Sequence, residues 1–151
     1  MSSSIGGHTR HVHDHFLRLI DGASYCNGRK TVRYDVRERG RDVESDVGAA
    51  LEEAAEIEAA LMSPRFEKAL ANEVTVSFVF AREEDSVTGE EIEYQSNVKR
   101  ELAFVTHHAV HHHAYVRRIV EEHKLEAILP PHFGMAPSTV LHQNRTEKGV
   151  K

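Results

Sequence analysis

The spacing of apolar residues along the chain predicts a mainly α-helical protein. In three segments apolar residues recur at three- and four-residue steps, the period of a helix that buries one side. These segments cover about residues 2–21, 46–62 and 96–124. Apolar and polar residues alternate over 74–80, and a short apolar run returns at 92–94 after a turn at 85–89. This pattern predicts a small β-hairpin before the last long helix.

Residues that start and end helices mark the three predicted elements. The N-terminal serines can cap the first helix, which we expect to end at Gly22. Ser45 or Asp46 caps the second helix, and Pro64 ends it. Ser96 is expected to cap the third helix.

The second helix is predicted to be structural. Its apolar stripe, which we expect to be buried, contains Val47, Ala50, Leu51, Ala54, Ile57, Ala60 and Leu61. Its glutamates, which we expect to face solvent, are Glu52, Glu53, Glu56 and Glu58. The segment before it, residues 23–41, follows neither period and is predicted to be irregular.

Length and composition indicate one compact unit. The chain has 151 residues, which favours a single domain over 1–142 with a flexible C-terminal tail over 143–151. A formal net charge of -5 argues against nucleic acid and anionic lipid as partners. No apolar run approaches the roughly 20 residues that span a bilayer. With Cys26 as the lone cysteine and no signal-peptide pattern, we expect a cytoplasmic protein.

Histidine departs most from ordinary composition. There are twelve histidines, and nine of them fall in two clusters, within residues 8–15 and 107–113. His112 lies on the apolar stripe of the third helix, and His108 precedes it by one turn. Because residues four apart are neighbours on a helix, these two imidazoles can bind one metal ion. Further ligands would come from the early cluster.

Such a cluster has a metal-binding interpretation and a structural one. Three histidines with open coordination positions are typical of a catalytic site, and imidazole suits Zn, Ni, Fe and Mn alike. A metal there would activate a water or a thiol. The alternative is a set of solvated or satisfied structural histidines. We favour the metal, because an unpaired buried imidazole is costly.

Four other residues are candidates for a reaction site. Arg37 and Arg39 can bind an anionic substrate group, although surface ion pairs would also explain them. Glu101 lies two turns before the His-x-x-x-His pair and is a candidate general base. The alternative for Glu101 is an ion pair with Lys99, Arg100 or Arg10. Tyr115 is a candidate pocket residue.

Four blocks of the chain resemble one family. They are SIGGHTRHVHDHF at 4–16, YDVRER at 34–39, RELAFVTHHAVHH at 100–112 and FGMAPST at 133–139. In this order they resemble a branch of the DinB-like proteins that carries SIGxHxRHxxDHF and RELxFVxxHxxHH motifs. The resemblance covers nearly the whole chain, from Ser3 to Thr139.

The resemblance implies an up-down helical bundle of three to four helices around a metal held by three histidines. The ligands it implies are His11, His108 and His112, with His15 as the rival first ligand and His111 as a rival residue that supports a ligand. Relatives include transferases and isomerases that use a low-molecular-weight thiol, and others described as metal-dependent hydrolases. It therefore implies a metal-dependent transferase or hydrolase acting on a small-molecule substrate. The alternative is a non-catalytic, stress-related metal-binding module that works as a dimer.

The start of the chain departs from the family pattern. DinB-like proteins usually carry a further helix before the SIG block, whereas three residues precede it here. We expect the missing helix to leave an apolar groove exposed, which favours a homodimer. A truncated start is the alternative explanation.

Overall fold

A computed structural model describes residues 4–24, 31–36, 38–80 and 90–147. Within these ranges the helices are α1 Ile5–Ser24, α2 Val47–Leu61, α3 Pro64–Ala69, α4 Val98–Glu122 and α5 Pro137–Glu147. The strands are β1 Thr31–Arg33, β2 Glu73–Phe80 and β3 Glu90–Asn97. Single 3-10 turns cover Asp42–Glu44 and Glu126–Ile128. The predicted mainly helical fold, with a hairpin before the last long helix, is confirmed.

Side-chain caps explain where the predicted helices begin. Ser4 Oγ accepts a hydrogen bond from the Gly7 amide at the start of α1, and Asp46 accepts one from Ala49 at the start of α2. The prediction for α4 was wrong by one residue. Asn97, not Ser96, caps this helix by accepting from the Arg100 amide at 2.9 Å.

Gly22 does not end α1, contrary to the prediction. The helix continues to Ser24, and Gly22 is buried against β1. A Cβ at this position would lie 2.5 Å from Val32 Cγ2. The glycine therefore lets β1 approach the helix closely instead of terminating it.

The sheet has one strand more than the predicted hairpin. β2 pairs with β3 in antiparallel fashion and with β1 in parallel. In this register Val32 lies opposite Val76, and both side chains are buried. β1 falls in the segment that was predicted to be irregular, so that prediction was wrong there. The turn predicted at 85–89 lies outside the described residues.

The hydrophobic core lies where α1, the start of α4, α3 and one face of the sheet meet. Its buried members are Leu19, Ala23, Val32, Tyr34, Phe66, Ala69, Val74, Val76, Val98 and Val105. Along α1 the core residues follow the histidines, and along α4 they precede them. The two helices therefore run antiparallel, with their histidine-bearing halves side by side beyond the core.

The surface of α2 differs from the prediction. Ile57 is buried as expected, but Val47 and Leu51 are 75% and 67% exposed. Glu53 was expected in solvent and instead pairs with Arg41 and contacts His13 Nδ1. Helices α3 and α5 were not predicted, and α5 includes the first part of the predicted flexible tail. None of the helices in the described ranges is long and apolar enough to cross a membrane.

Candidate metal site between α1 and α4

Histidines from both long helices meet at the α1–α4 seam. His8, His11 and His15 follow one another on α1 at steps of three and four, which places them on one face. His108 and His112 stand one turn apart on the facing side of α4. His15 is buried, while His11 and His108 are partly exposed. The two sequence clusters are therefore neighbours in the fold.

Three of these histidines form a compact group. His11, His15 and His108 each offer a ring nitrogen, and these nitrogens all lie within 4.8 Å of one another. The Nε2 atoms of His11 and His108 are 2.9 Å apart. Metal–nitrogen bonds of about 2.0–2.1 Å hold tetrahedral ligand nitrogens about 3.4 Å apart. Small side-chain movements would therefore bring the three nitrogens to the spacing of metal ligands.

The His15 ring is set for binding by its own helix. Its Nδ1 donates a hydrogen bond to the His11 carbonyl at 2.9 Å. A carbonyl can only accept, so the proton of a neutral His15 lies on Nδ1 and the lone pair on Nε2. A hydrogen bond from the second ring nitrogen commonly orients metal-ligating histidines in this way.

The predicted ligands His11 and His108 both belong to the group, and His15, the predicted rival, completes it. His112, also predicted, lies against them, with ring centroids 4.4 Å from His11 and 4.5 Å from His108. Its Nδ1 faces the Nδ1 of His8 at 2.8 Å. His111 is exposed, and its ring contacts His112 and Tyr115 edge-on.

Burial favours the neutral form of His112 and His8, the two imidazoles beside the group. Desolvation, followed by the nearby imidazoles, lowers the pKa of His112 from 6.5 to about 4. Burial, followed by His111, also lowers the pKa of His8. Neutral imidazole is the form that binds metal. At neutral pH these side chains therefore need no proton removed before they can bind.

A buried carboxylate and a tyrosine support the site from the core side. The Tyr34 ring stacks on His15 with centroids 5.2 Å apart and planes 12° apart. Its hydroxyl donates to Glu101 Oε2 at 3.0 Å, and Glu101 is fully buried. Ser96 and Arg100 donate to the other carboxylate oxygen. Burial and the Glu101 charge raise the pKa of Tyr34.

The candidate base Glu101 therefore lies beneath the histidines, and its contact with them runs through Tyr34. The ion pair with Arg100, the alternative weighed from the sequence, is present at 2.6 Å. Sequence reasoning missed Tyr34 as part of the site. Its position in the YDVRER block was the available signal, but β1, which places it under His15, is three residues long and was not predicted.

The remaining candidates lie at the edge of the site or beyond it. Tyr115 is 49% exposed, and its ring stacks on His8 with centroids 5.4 Å apart. Arg39 is exposed. Arg37 lies outside the described residues.

A network of opposite charges occupies the neighbouring face of α1. The buried Asp14 carboxylate accepts from Arg10 at 2.6 Å and from Arg41 at 3.0 Å. Arg41 also pairs with Glu53, which contacts His13 Nδ1 at 2.9 Å. This network joins α1 to the 3-10 turn before α2 and to α2 itself.

Comparison with known proteins gives one similarity in sequence. The chain is 32% identical over 111 residues to FK506-binding protein 5 from Rhizopus delemar. The match covers 74% of this chain and 27% of that protein, so the chain spans about a quarter of this relative's length. No protein-family model and no solved structure matches the chain.

Proposed function

We propose that the chain is a metal-dependent enzyme of the DinB-like superfamily, a thiol-dependent transferase or a hydrolase. The observation that carries the proposal is the convergence of His11, His15 and His108 from two helices. These three side chains would hold one divalent transition metal, Zn, Ni, Fe or Mn. When bound, the metal would supply Lewis acidity that lowers the pKa of a coordinated water or low-molecular-weight thiol.

The chemistry of the donor set fits such a metal. Three imidazole ligands leave coordination positions open, which is the pattern of catalytic sites. The hydrogen bond from His15 to the His11 carbonyl directs the His15 lone pair away from the backbone. All three histidines lie in the sequence blocks that resemble the DinB-like branch. His11 and His108 are ligands that the resemblance implies, and His15 is the rival first ligand. A small-molecule substrate would enter beside the partly exposed His108, with Tyr115 and Arg39 as outer candidates.

A second candidate is a non-catalytic metal-binding module that works as a homodimer. It is favoured by apolar side chains on α2 and at its end, where Val47, Leu51 and Met62 are 67–80% exposed. An open groove of about 440 Å³ lies between the start of α1 and α2. Exposed apolar surface of this kind favours association. The FK506 binding named for the fungal relative is not part of either proposal, because the shared segment covers 27% of that protein.

Metal content tests the proposed site directly. Protein purified without added metal should contain about one equivalent of a transition metal by elemental analysis. His15→Ala and His108→Ala should lose it, because each removes a ligand. His112→Ala should retain the metal. This result would distinguish the proposed ligand set from the alternative set of His11, His108 and His112. His123→Ala, at the exposed end of α4, is the matched control.

Binding should also stabilise the fold. A ligand at one hundred times its dissociation constant adds about 2.7 kcal/mol to the free energy of unfolding. We expect this increment in the wild type and in His123→Ala, and its loss in His15→Ala. The proposal would be contradicted by equal metal content in all four variants. It would also be contradicted by a folded wild type that does not bind added Zn, Ni or Mn. An assay of the metal-bound protein with pairs of a thiol and an electrophile then distinguishes the two candidate functions. Turnover is expected of the enzyme and not of the non-catalytic module.

A further inference from the structure

The pair His8–His112 lies beside the three-histidine group without belonging to it. Its two Nδ1 atoms are 2.8 Å apart across the α1–α4 seam. His8 is buried and His112 is partly buried. A neutral imidazole has one N–H and one ring nitrogen with a lone pair. Two facing nitrogens can therefore be joined by an N–H···N hydrogen bond, or by a cation that binds both lone pairs.

The separation of these nitrogens suits a metal ion. With metal–nitrogen bonds of about 2.05 Å, two nitrogens 2.8 Å apart subtend about 85° at the metal. That angle is close to the right angle between neighbouring ligands in octahedral or square-planar coordination. A widening of about 0.5 Å would reach the tetrahedral spacing that Zn prefers.

The surroundings hold the pair in place and leave room for further ligands. Tyr115 stacks on His8 with the two planes 6° apart, which orients the His8 ring. A cavity of about 60 Å³ adjoins the pair. The residues that line it are His8, Thr9, Val12, His13, His112, His113 and Val116. A space of this size holds about two waters, which with two histidines would make a four-coordinate site.

We infer that His8 and His112 form a second metal position, next to the one held by His11, His15 and His108. Two protein nitrogens and water would coordinate the second ion. Because only two protein ligands contribute, and because a neighbouring dication repels it, the second ion should bind more weakly than the first. The second position extends the proposed function but does not depend on catalysis at the first.

Titration of metal-free protein with Zn²⁺ tests this inference. Isothermal calorimetry of the wild type should resolve two sites, the second at least tenfold weaker than the first. His8→Gln should remove the weaker site and leave the tighter one. His15→Gln should do the reverse. His123→Ala should keep both, because that exposed side chain lies at the far end of α4.

A second variant guards against misfolding. His112→Asn removes the other half of the pair and should give the same result as His8→Gln, with far-ultraviolet circular dichroism confirming the fold of both. A wild type that binds one Zn²⁺, or a weaker site that survives in both variants, would overturn the second position. Loss of the tighter site in His15→Gln with the weaker one retained would support both positions. Failure of His15→Gln to change either site would count against the proposed function alone.

Discussion

Two polar clusters occupy neighbouring faces of α1, and they are built from different chemistry. On one face Arg10 and Arg41 both form ion pairs with Asp14, and Arg41 also pairs with Glu53. On the other face imidazoles meet imidazoles. Contacts between the two helices join nitrogen to nitrogen, between His11 and His108 and between His8 and His112. Both clusters are at least partly buried, so each must be satisfied in some way.

The comparison separates a face of paired charges from a candidate metal site. Cations and carboxylates pair with each other, so the protein's own atoms hold the charged network together. Arg10 Nε, which lies 2.6 Å from Glu44 Oε1, is buried without an aligned hydrogen bond in the described residues. Facing imidazole nitrogens are joined either by an N–H···N hydrogen bond between suitable tautomers or by a metal ion that binds both lone pairs. The charged face should therefore matter to stability whether or not metal is present. The histidine face should matter most when metal is bound.

The largest effect should come from breaking the charged network. Asp14→Ala leaves Arg10 and Arg41 without the carboxylate they share, and Asp14 is 3% exposed. Arg10 still lies 2.6 Å from Glu44 and Arg41 still pairs with Glu53. The loss is therefore that of two hydrogen bonds to a charged group, together about 3–6 kcal/mol. We expect a loss of this size in urea unfolding with a chelator present. Glu38→Ala, which removes an exposed partner of Arg18, should change stability by less than about 1 kcal/mol. A loss below about 1 kcal/mol for Asp14→Ala would mean that the network is not structural.

A smaller effect should come from the support beneath the histidines. Tyr34→Phe removes the hydroxyl that donates to the buried Glu101 and should cost about 1–3 kcal/mol of stability. It keeps the ring on His15, so metal affinity should hardly change. Tyr34→Leu also removes the stacked ring and should weaken metal binding by about 0.5–1.5 kcal/mol. Equal metal affinity in the two variants would show that the ring does not position His15.

A third effect should be a pH dependence to which the histidine face contributes. In the fold the pKa of His112 is lowered from 6.5 to about 4, mainly by burial. Between these values the unfolded chain binds the proton and the folded chain does not. The free energy of unfolding of metal-free protein should therefore fall as pH drops from about 6.5 to about 4. Above pH 6.5 the His112 ring is neutral in both states, so this loss of stability is absent. Urea titrations should show a shallower fall for His112→Gln. Identical slopes would place the titrating group elsewhere.

Local pattern was enough to predict much of the fold. The apolar period identified α1, α2 and α4, and the alternation at 74–80 identified the hairpin. These signals are local, because a helix or a strand buries one face at its own repeat. The same repeat placed His8, His11 and His15 on one face of α1. The sequence also indicated that His108 and His112 could bind one ion.

Longer-range features escaped prediction because they depend on partners far along the chain. β1 is three residues long, and its parallel pairing with β2 joins residues more than forty positions apart. Val47 and Leu51 fit a buried stripe by period, yet no element of the described chain covers them fully. Glu53 was expected in solvent, but the fold brings Arg41 next to it and the two side chains form an ion pair.

By itself, the sequence determined which faces of α1 and α4 carry histidine and that a metal was the chemistry to expect. Only the tertiary structure decided which histidines meet. Helical period sets the direction of a side chain around its axis, but the offset of one helix along another is set by core packing. Here Leu19, Val105 and the sheet set that offset. As a result His15 faces His108 and His8 faces His112.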